Sequence, residues 1–147
     1  MLLNLFMADL CRSCRPIIEL NGITFTEKIT SQPCHVRVNR EQLFRALEKL
    51  LYNAPDFTPA DGEIKLSLQA DEDFACIVVS DTGCGISEED LPHIFRRSFT
   101  TRGDRGGQGL GLAITRDIIM EHEGRIEVES EEGKGSTFTI VLPIVCN

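Results

Sequence analysis

Residues 74–86 read FACIVVSDTGCGI, and the fold turns on how that stretch is read. Residues 74–79 are apolar and β-branched, the composition of a strand more fully buried than its neighbours. The run ends on Asp81, and Gly83 and Gly85 follow within four residues. A carboxylate at a strand end can accept hydrogen bonds from an exocyclic amine. Two glycines let the backbone come close to a flat ligand. Many plain turns share this D-x-G-x-G pattern, so by itself it fits either a ligand loop or a simple turn.

Upstream of that stretch, Ile64, Leu66 and Leu68 alternate with polar residues as a half-buried strand does, and residues 71–73 mark a hairpin. Asp61-Gly62 is a turn. A helix capped by Asn39 carries Leu43, Phe44, Leu47, Leu50, Leu51 and Ala54, and Pro55 and Pro59 are expected to end it. Val36 and Val38 suggest a short strand, and residues 23–29 a longer one after the Asn21-Gly22 turn. Leu2, Leu3, Phe6 and Leu10 recur at helical spacing, a pattern that predicts a first helix stopping near Pro16. Downstream, residues 82–109 are loop-rich and hold six glycines. Residues 110–121 read as a helix closed by Gly124, and strands over 125–129 and 137–142 are joined through Gly133-Lys134-Gly135. This order predicts an α+β fold, a two-layer sandwich with helices packed on one face of a mixed sheet. The regular strand–helix alternation of a doubly wound fold is missing.

The 147 residues fit a single domain. Fifteen Lys and Arg against 23 Asp and Glu leave a net charge of −8, which argues against non-specific nucleic-acid binding. No apolar run approaches the ~18–20 residues of a membrane span. The opening MLLNLFMADL lacks a basic leader and a small-residue cleavage site, and reads as the buried face of the first helix. Of six cysteines, only Cys11 and Cys14 have redox or metal spacing, and no second pair completes a zinc site. They read as reduced thiols of a cytoplasmic protein, with Cys76 and Cys84 expected to be buried.

Three further features carry chemistry. Gly107-Gln108-Gly109-Leu110-Gly111-Leu112 runs from loop into helix, where unpaired N–H groups and the helix dipole favour a phosphate; a mobile glycine loop is the plainer alternative. Arg96, Arg97, Arg102 and Arg105 stand against Asp104 alone, a net +3 within ten residues of an acidic chain. Asn53 lies one turn after Lys49, among apolar neighbours, where its amide needs a partner: a metal ion or a core hydrogen bond.

In this order and spacing the pieces resemble the ATP-binding catalytic domain of sensor histidine kinases, relatives of the gyrase, chaperone and mismatch-repair ATPases. Leu50-Leu51-Tyr52-Asn53-Ala54 with Phe57-Thr58-Pro59 is similar to the asparagine box, and residues 81–86 to the first glycine box. Ile94-Phe95 through Phe99-Thr100-Thr101-Arg102 resembles the phenylalanine box and the start of the ATP lid. Residues 107–112 resemble the second glycine box, and Gly133-Lys134-Gly135-Ser136-Thr137-Phe138 the third.

The resemblance implies ATP and Mg²⁺ as ligands. Asp81 would bind the adenine amino group, with Gly83 and Gly85 in its loop, Ile86 packed on the base and Thr137 supporting the adenine pocket. Asn53 would hold Mg²⁺ against the phosphates, and Asp56 would stand near them. Gly107, Gly109, Leu110, Gly111 and Leu112 would supply the phosphate cradle, with Arg97, Thr100, Thr101 and Arg102 from the lid. The chain departs from the family at Lys49, where another Asn is usual, at Asp56, where a Lys or Arg is usual, and in His122-Glu123-Gly124 in place of His-Gly-Gly. Asp56 would oppose the phosphates by roughly 1–4 kcal/mol at ~4 Å, and Lys49 would offset it.

None of His35, His93 and His122 stands in the exposed, acidic-flanked helical context of a phosphoacceptor. The resemblance therefore implies a fragment whose acceptor histidine lies on a separate helical hairpin domain. The parent kinase would be homodimeric and would signal to a response regulator. This segment would be cytoplasmic even if the parent is membrane-anchored. Lys49, Pro55 and Asp56 leave open a degenerate nucleotide-binding or interaction module without phosphotransfer, and the boxes are shared with anti-sigma-type serine kinases.

Overall fold

The computed structural model describes residues 1–96 and 112–145, with backbone alone for residues 52–57. The described elements are α1 (Leu3–Leu20), β1 (Thr24–Ile29), α2 (Arg40–Phe57), β2 (Glu63–Ala70), β3 (Phe74–Asp81), α3 (Ala113–Glu121), β4 (Arg125–Glu131) and β5 (Gly135–Pro143). A short 3-10 turn covers Leu91–His93.

The expectations at Pro16 and Pro55 need correction, while Pro59 stands where α2 has ended. Helix α1 runs through Pro16 to Leu20, because its buried stripe continues with Cys14 and Ile18, both fully excluded from solvent. Pro16 sits on the exposed side, as does Arg12, whose carbonyl it frees to meet water. Burying a side chain such as Ile18 is worth about 1.5–3 kcal/mol, comparable to the roughly 3 kcal/mol a proline costs in a helix interior. Helix α2 likewise passes Pro55 and ends after Phe57. Its C-cap, Thr58, is extended at φ −113° and ψ 121°, the conformation that the following Pro59 imposes. At the other end Asn39 caps as expected, its Oδ1 accepting the Gln42 N–H at 2.9 Å.

The five strands form one sheet in the order β1-β2-β3-β5-β4. Strands β1 and β2 are parallel, joined by the crossover through α2, and the other pairs are antiparallel. Alternation sets the faces: Ile64, Leu66 and Leu68 are buried while Lys65 and Gln69 are exposed. The same alternation holds in β3, where Ala75, Ile77 and Val79 are buried and Cys76 and Val78 half-buried, so this strand is more fully buried than β2, as its composition predicts. The buried set packs against α1, α2 and α3, giving the expected two-layer α+β sandwich. Between α1 and α2, the Phe6 and Phe44 rings meet edge to face at 6.0 Å, and Arg40 pairs with Asp9 at 2.8 Å.

The short strand expected at Val36 and Val38 is instead two isolated bridges, Leu2 to His35 and Val36 to Ile144. The cysteine expectation also changes. Among the described residues Cys11, Cys14 and Cys34 are the buried thiols, while Cys76 is half-buried and Cys84 exposed. Burial pushes the Cys11 and Cys34 thiols up, so both stay protonated and unreactive.

Candidate functional site

Asp81 is the last residue of β3, opposite Ser136 on β5 and Ile64 on β2. Directly opposed residues share a face, so Asp81 and Ser136 lie on the helix-covered side of the sheet with the fully buried Ile64. The Asp81 Oδ1 accepts the Gly83 N–H at 2.9 Å. Burial pushes its carboxyl above the usual range, partly countered by the backbone N–H groups of Gly83 and Ser136. The result is a carboxylate with little water and unfilled acceptor capacity at the mouth of a loop, a pattern associated with binding sites.

The backbone around it is drawn in too tightly for side chains at two points. Gly135 has φ 122°, and a Cβ there would strike the Asp81 carbonyl oxygen. Gly85 has φ 72°, and a Cβ there would strike the carbonyl of Glu131. The loop after Asp81 is thereby pressed onto the β4–β5 turn, and the Gly133 N–H donates to the Cys84 carbonyl at 2.7 Å. The Ser130 Oγ joins the two segments, lying 2.7 Å from the Ile86 N–H, 3.0 Å from the Gly135 carbonyl and 2.9 Å from the Ser136 Oγ. Ile86 is buried, 5% exposed, at the exit of the loop.

The structure does not bring Thr137 together with Asp81. Thr137 opposes Ser80, and their hydroxyls lie 3.2 Å apart on the open face of the sheet, away from Asp81. The hydroxyl beside Asp81 belongs to Ser136, which sequence reading passed over. The strand period of two would have found it, since two residues adjacent in a strand point to opposite faces.

Helices α2 and α3 lie side by side. At one end the His122 Nε2 accepts the Asn39 N–H at 3.1 Å, while its Nδ1 donates to the Ile118 carbonyl at 2.7 Å. Farther along, Arg45, Ala46 and Lys49 line one groove with Ile114, Thr115 and Ile118. The helices are therefore antiparallel, and the start of α3 lies toward the C-terminal half of α2, the half that carries Asn53. After α2 the chain needs only residues 58–62 to enter β2 at Glu63, whose N–H and carbonyl bond the Thr82 Oγ1 and N–H. The end of α2, the start of α3 and Asp81 thus occupy one end of the molecule. Leu112, fully buried just before α3, donates its N–H to the Ile94 carbonyl at 3.4 Å.

Of the remaining expected residues, Arg97, Thr100, Thr101, Arg102, Gly107, Gly109, Leu110 and Gly111 lie outside the described residues, as do the side chains of Asn53 and Asp56. Among the described residues, no three His, Cys, Asp or Glu gather to hold a metal ion. Nor is any described helix long and apolar enough to cross a membrane.

Residues 38–145 match the family of histidine kinase-, DNA gyrase B- and HSP90-like ATPases. The chain is 38% identical over 97% of its length to the sensor histidine kinase RppB of Synechocystis, and 41% identical over 67% to the phosphate regulon sensor protein PhoR of Pseudomonas aeruginosa. It spans 32% and 23% of those two proteins. The nucleotide-free catalytic domain of histidine kinase ThkA superposes with a TM-score of 0.84 at 30% identity, over 97% of this chain and 94% of that one. The mycobacterial sensor histidine kinase MprB gives 0.83 at 27% identity, over 98% of this chain and 97% of that one. The half-buried carboxylate, the glycine-notched loop and the antiparallel helix pair thus sit on a shared scaffold, and the chain belongs to the histidine kinase-, DNA gyrase B- and HSP90-like ATPase family, on its histidine kinase branch.

Proposed function

We propose that this domain binds ATP with Mg²⁺ in the corner between Asp81 and the facing ends of α2 and α3. From there it hands the γ-phosphate to a histidine on a separate helical hairpin domain of the same kinase. The observation that carries this reading is the half-buried Asp81 carboxylate, whose acceptor capacity is not filled by the protein and whose surroundings have no room for a Cβ at Gly135.

Asp81 accepts the adenine amine, and Ser136, on the same face, takes the supporting place expected of Thr137. Ile86 gives the base an apolar wall. The phosphates extend toward the start of α3, where the helix dipole favours negative charge, with the glycine-rich residues 107–111 just before it in the sequence. Mg²⁺ keeps most of its waters and asks for only one or two protein oxygens, a demand the Asn53 amide on α2 fits without an acidic cluster. When bound, the ion neutralises charge on the phosphate oxygens. Lys49, half-buried one turn earlier on α2, adds a cation against the opposing Asp56.

The chemical step needs little from the protein beyond positioning. An imidazole nitrogen forms a bond to the γ-phosphorus as the bond to the β-bridging oxygen breaks, and ADP leaves. A charged Lys49 cannot deprotonate water, so hydrolysis does not compete. The phosphoryl group then passes to a response regulator, and a homodimeric parent presents the hairpin. The continuation of α2 through Pro55 removes one of the three reasons for regarding the domain as degenerate.

Titration with an ATP analogue and Mg²⁺, followed by incubation with ATP and a histidine-bearing hairpin domain, tests the reading. The expected result is saturable binding, acid-labile phosphate on the hairpin and negligible phosphate release by the domain alone. Absence of binding at millimolar nucleotide would instead identify an interaction module, and acid-stable phosphoserine a serine kinase.

A further inference from the structure

The hydroxyl of Ser130 meets three partners, and their chemistry fixes where every proton lies. The Ile86 N–H can only donate, so Ser130 accepts there at 2.7 Å. The Gly135 carbonyl can only accept, so the single Ser130 proton goes to it at 3.0 Å. The third contact, to the Ser136 Oγ at 2.9 Å, must then have Ser136 as donor. One donated and two accepted bonds exhaust a serine hydroxyl. The Ser136 proton is therefore turned toward Ser130, and only Ser136 lone pairs remain for the face it shares with Asp81.

We propose that Ser130 is a positioning residue that sets base specificity: by drawing off the Ser136 proton and holding the Ile86 N–H, it keeps the base-binding corner purely hydrogen-bond accepting. This rests on the ATP reading and deepens it. A corner made of a carboxylate and serine lone pairs favours a base edge that presents N–H groups, such as the 6-amino group of adenine. It disfavours a 6-oxo edge, whose carbonyl oxygen would face acceptors without a proton between them. Without the Ser130 hydroxyl, the Ser136 hydroxyl is free to rotate and donate to such an oxygen.

The test compares wild type, Ser130→Ala and Ser130→Thr, which keeps a hydroxyl on a β-favouring side chain. The affinities for ATP and for inosine triphosphate, each with Mg²⁺, are measured by calorimetry. The expected result is that the preference for ATP over inosine triphosphate falls about tenfold in Ser130→Ala, the worth of one directed hydrogen bond, and is restored in Ser130→Thr. A merely structural role would weaken both nucleotides alike and leave their ratio unchanged, which would overturn the proposal, as would loss of the preference in both variants. If Ser130→Ala does not fold, Ser130→Cys replaces it: the weakly donating thiol is expected to lose the preference that Ser130→Thr keeps, and equal ratios in the two would overturn the proposal.

Failure of the underlying ATP reading looks different, since wild type would then bind neither nucleotide. Amide exchange at Ile86 still decides in that case. Faster exchange in Ser130→Ala than in Ser130→Thr is expected, and equal rates would overturn the arrangement.

Discussion

Two aspartates stand at opposite ends of the β2–β3 pair and have opposite characters. Asp71, at the hairpin, is exposed, and its Oδ1 accepts the N–H groups of Asp73 and Phe74 at 2.8 and 2.7 Å. These bonds hold its carboxyl below the usual 3.8. Asp81, at the open end, is half-buried and pushed above that value by burial, despite its own bond from Gly83. The first carboxylate is consumed by the turn it builds. The second is held at a cost to the fold, with capacity left for something the chain does not provide. A carboxylate that serves folding and one that serves a ligand are thus told apart by environment, not residue type.

The largest expected effect comes from removing the Asp81 charge. Asp81→Asn should weaken ATP binding at least ~100-fold, about 2.7 kcal/mol, because a charge-assisted acceptor becomes an amide that also presents an N–H to the amine. Its thermal midpoint at neutral pH should be unchanged or higher. A group with a raised folded-state pKa contributes stability below its unfolded pKa and loses it as pH rises through the folded value. Ionised Asp81 therefore costs the fold something at pH 7. A lower midpoint would make Asp81 a structural residue and erase the contrast with Asp71.

Next comes the backbone notch behind Asp81. Gly135→Ala should destabilise the domain by about 1–3 kcal/mol in urea unfolding, since both the φ of 122° and the Asp81 carbonyl oppose a Cβ. Gly133→Ala, at φ 86° with nothing within 4 Å of its Cβ, carries backbone strain alone and should cost less, about 1 kcal/mol. Equal losses would show that the close approach at Asp81 contributes nothing.

Acid should separate the two carboxylates. ATP affinity should fall as pH drops, with a midpoint above 3.8 that disappears in Asp81→Asn. The stability given by Asp71 runs the other way: it is present above 3.8 and is lost only as pH falls through its lower folded-state value. The smallest effect is expected from Asp71→Asn, a slight drop in thermal midpoint at pH 7 with ATP binding unchanged. Weakened binding in that variant would mean that the two ends of the strand pair are coupled.

Much of this was legible because local chemistry repeats locally. The Asn39 cap, the Asn21-Gly22 turn, the alternation of Ile64, Leu66 and Leu68 and the Asp81 strand end each depend on residues a few positions apart. Pro16 and Pro55 misled because their local preference is a few kcal/mol at most, and burial of Cys14, Ile18, Leu50 and Leu51 on the flanking turns outweighs it. Cys84 reads as buried because its loop follows a buried strand, yet the loop that presses Gly85 against Glu131 leaves that thiol exposed.

The sequence by itself determined the element order, the two-layer architecture and the family, since hydrophobic period and glycine spacing are properties of the linear chain. Only the tertiary structure decided which hydroxyl stands beside Asp81 and that the end of α2 and the start of α3 lie toward the same end of the molecule as Asp81. Those are matters of register and of packing between segments tens of residues apart, and a one-residue difference in a strand reverses the face a side chain takes.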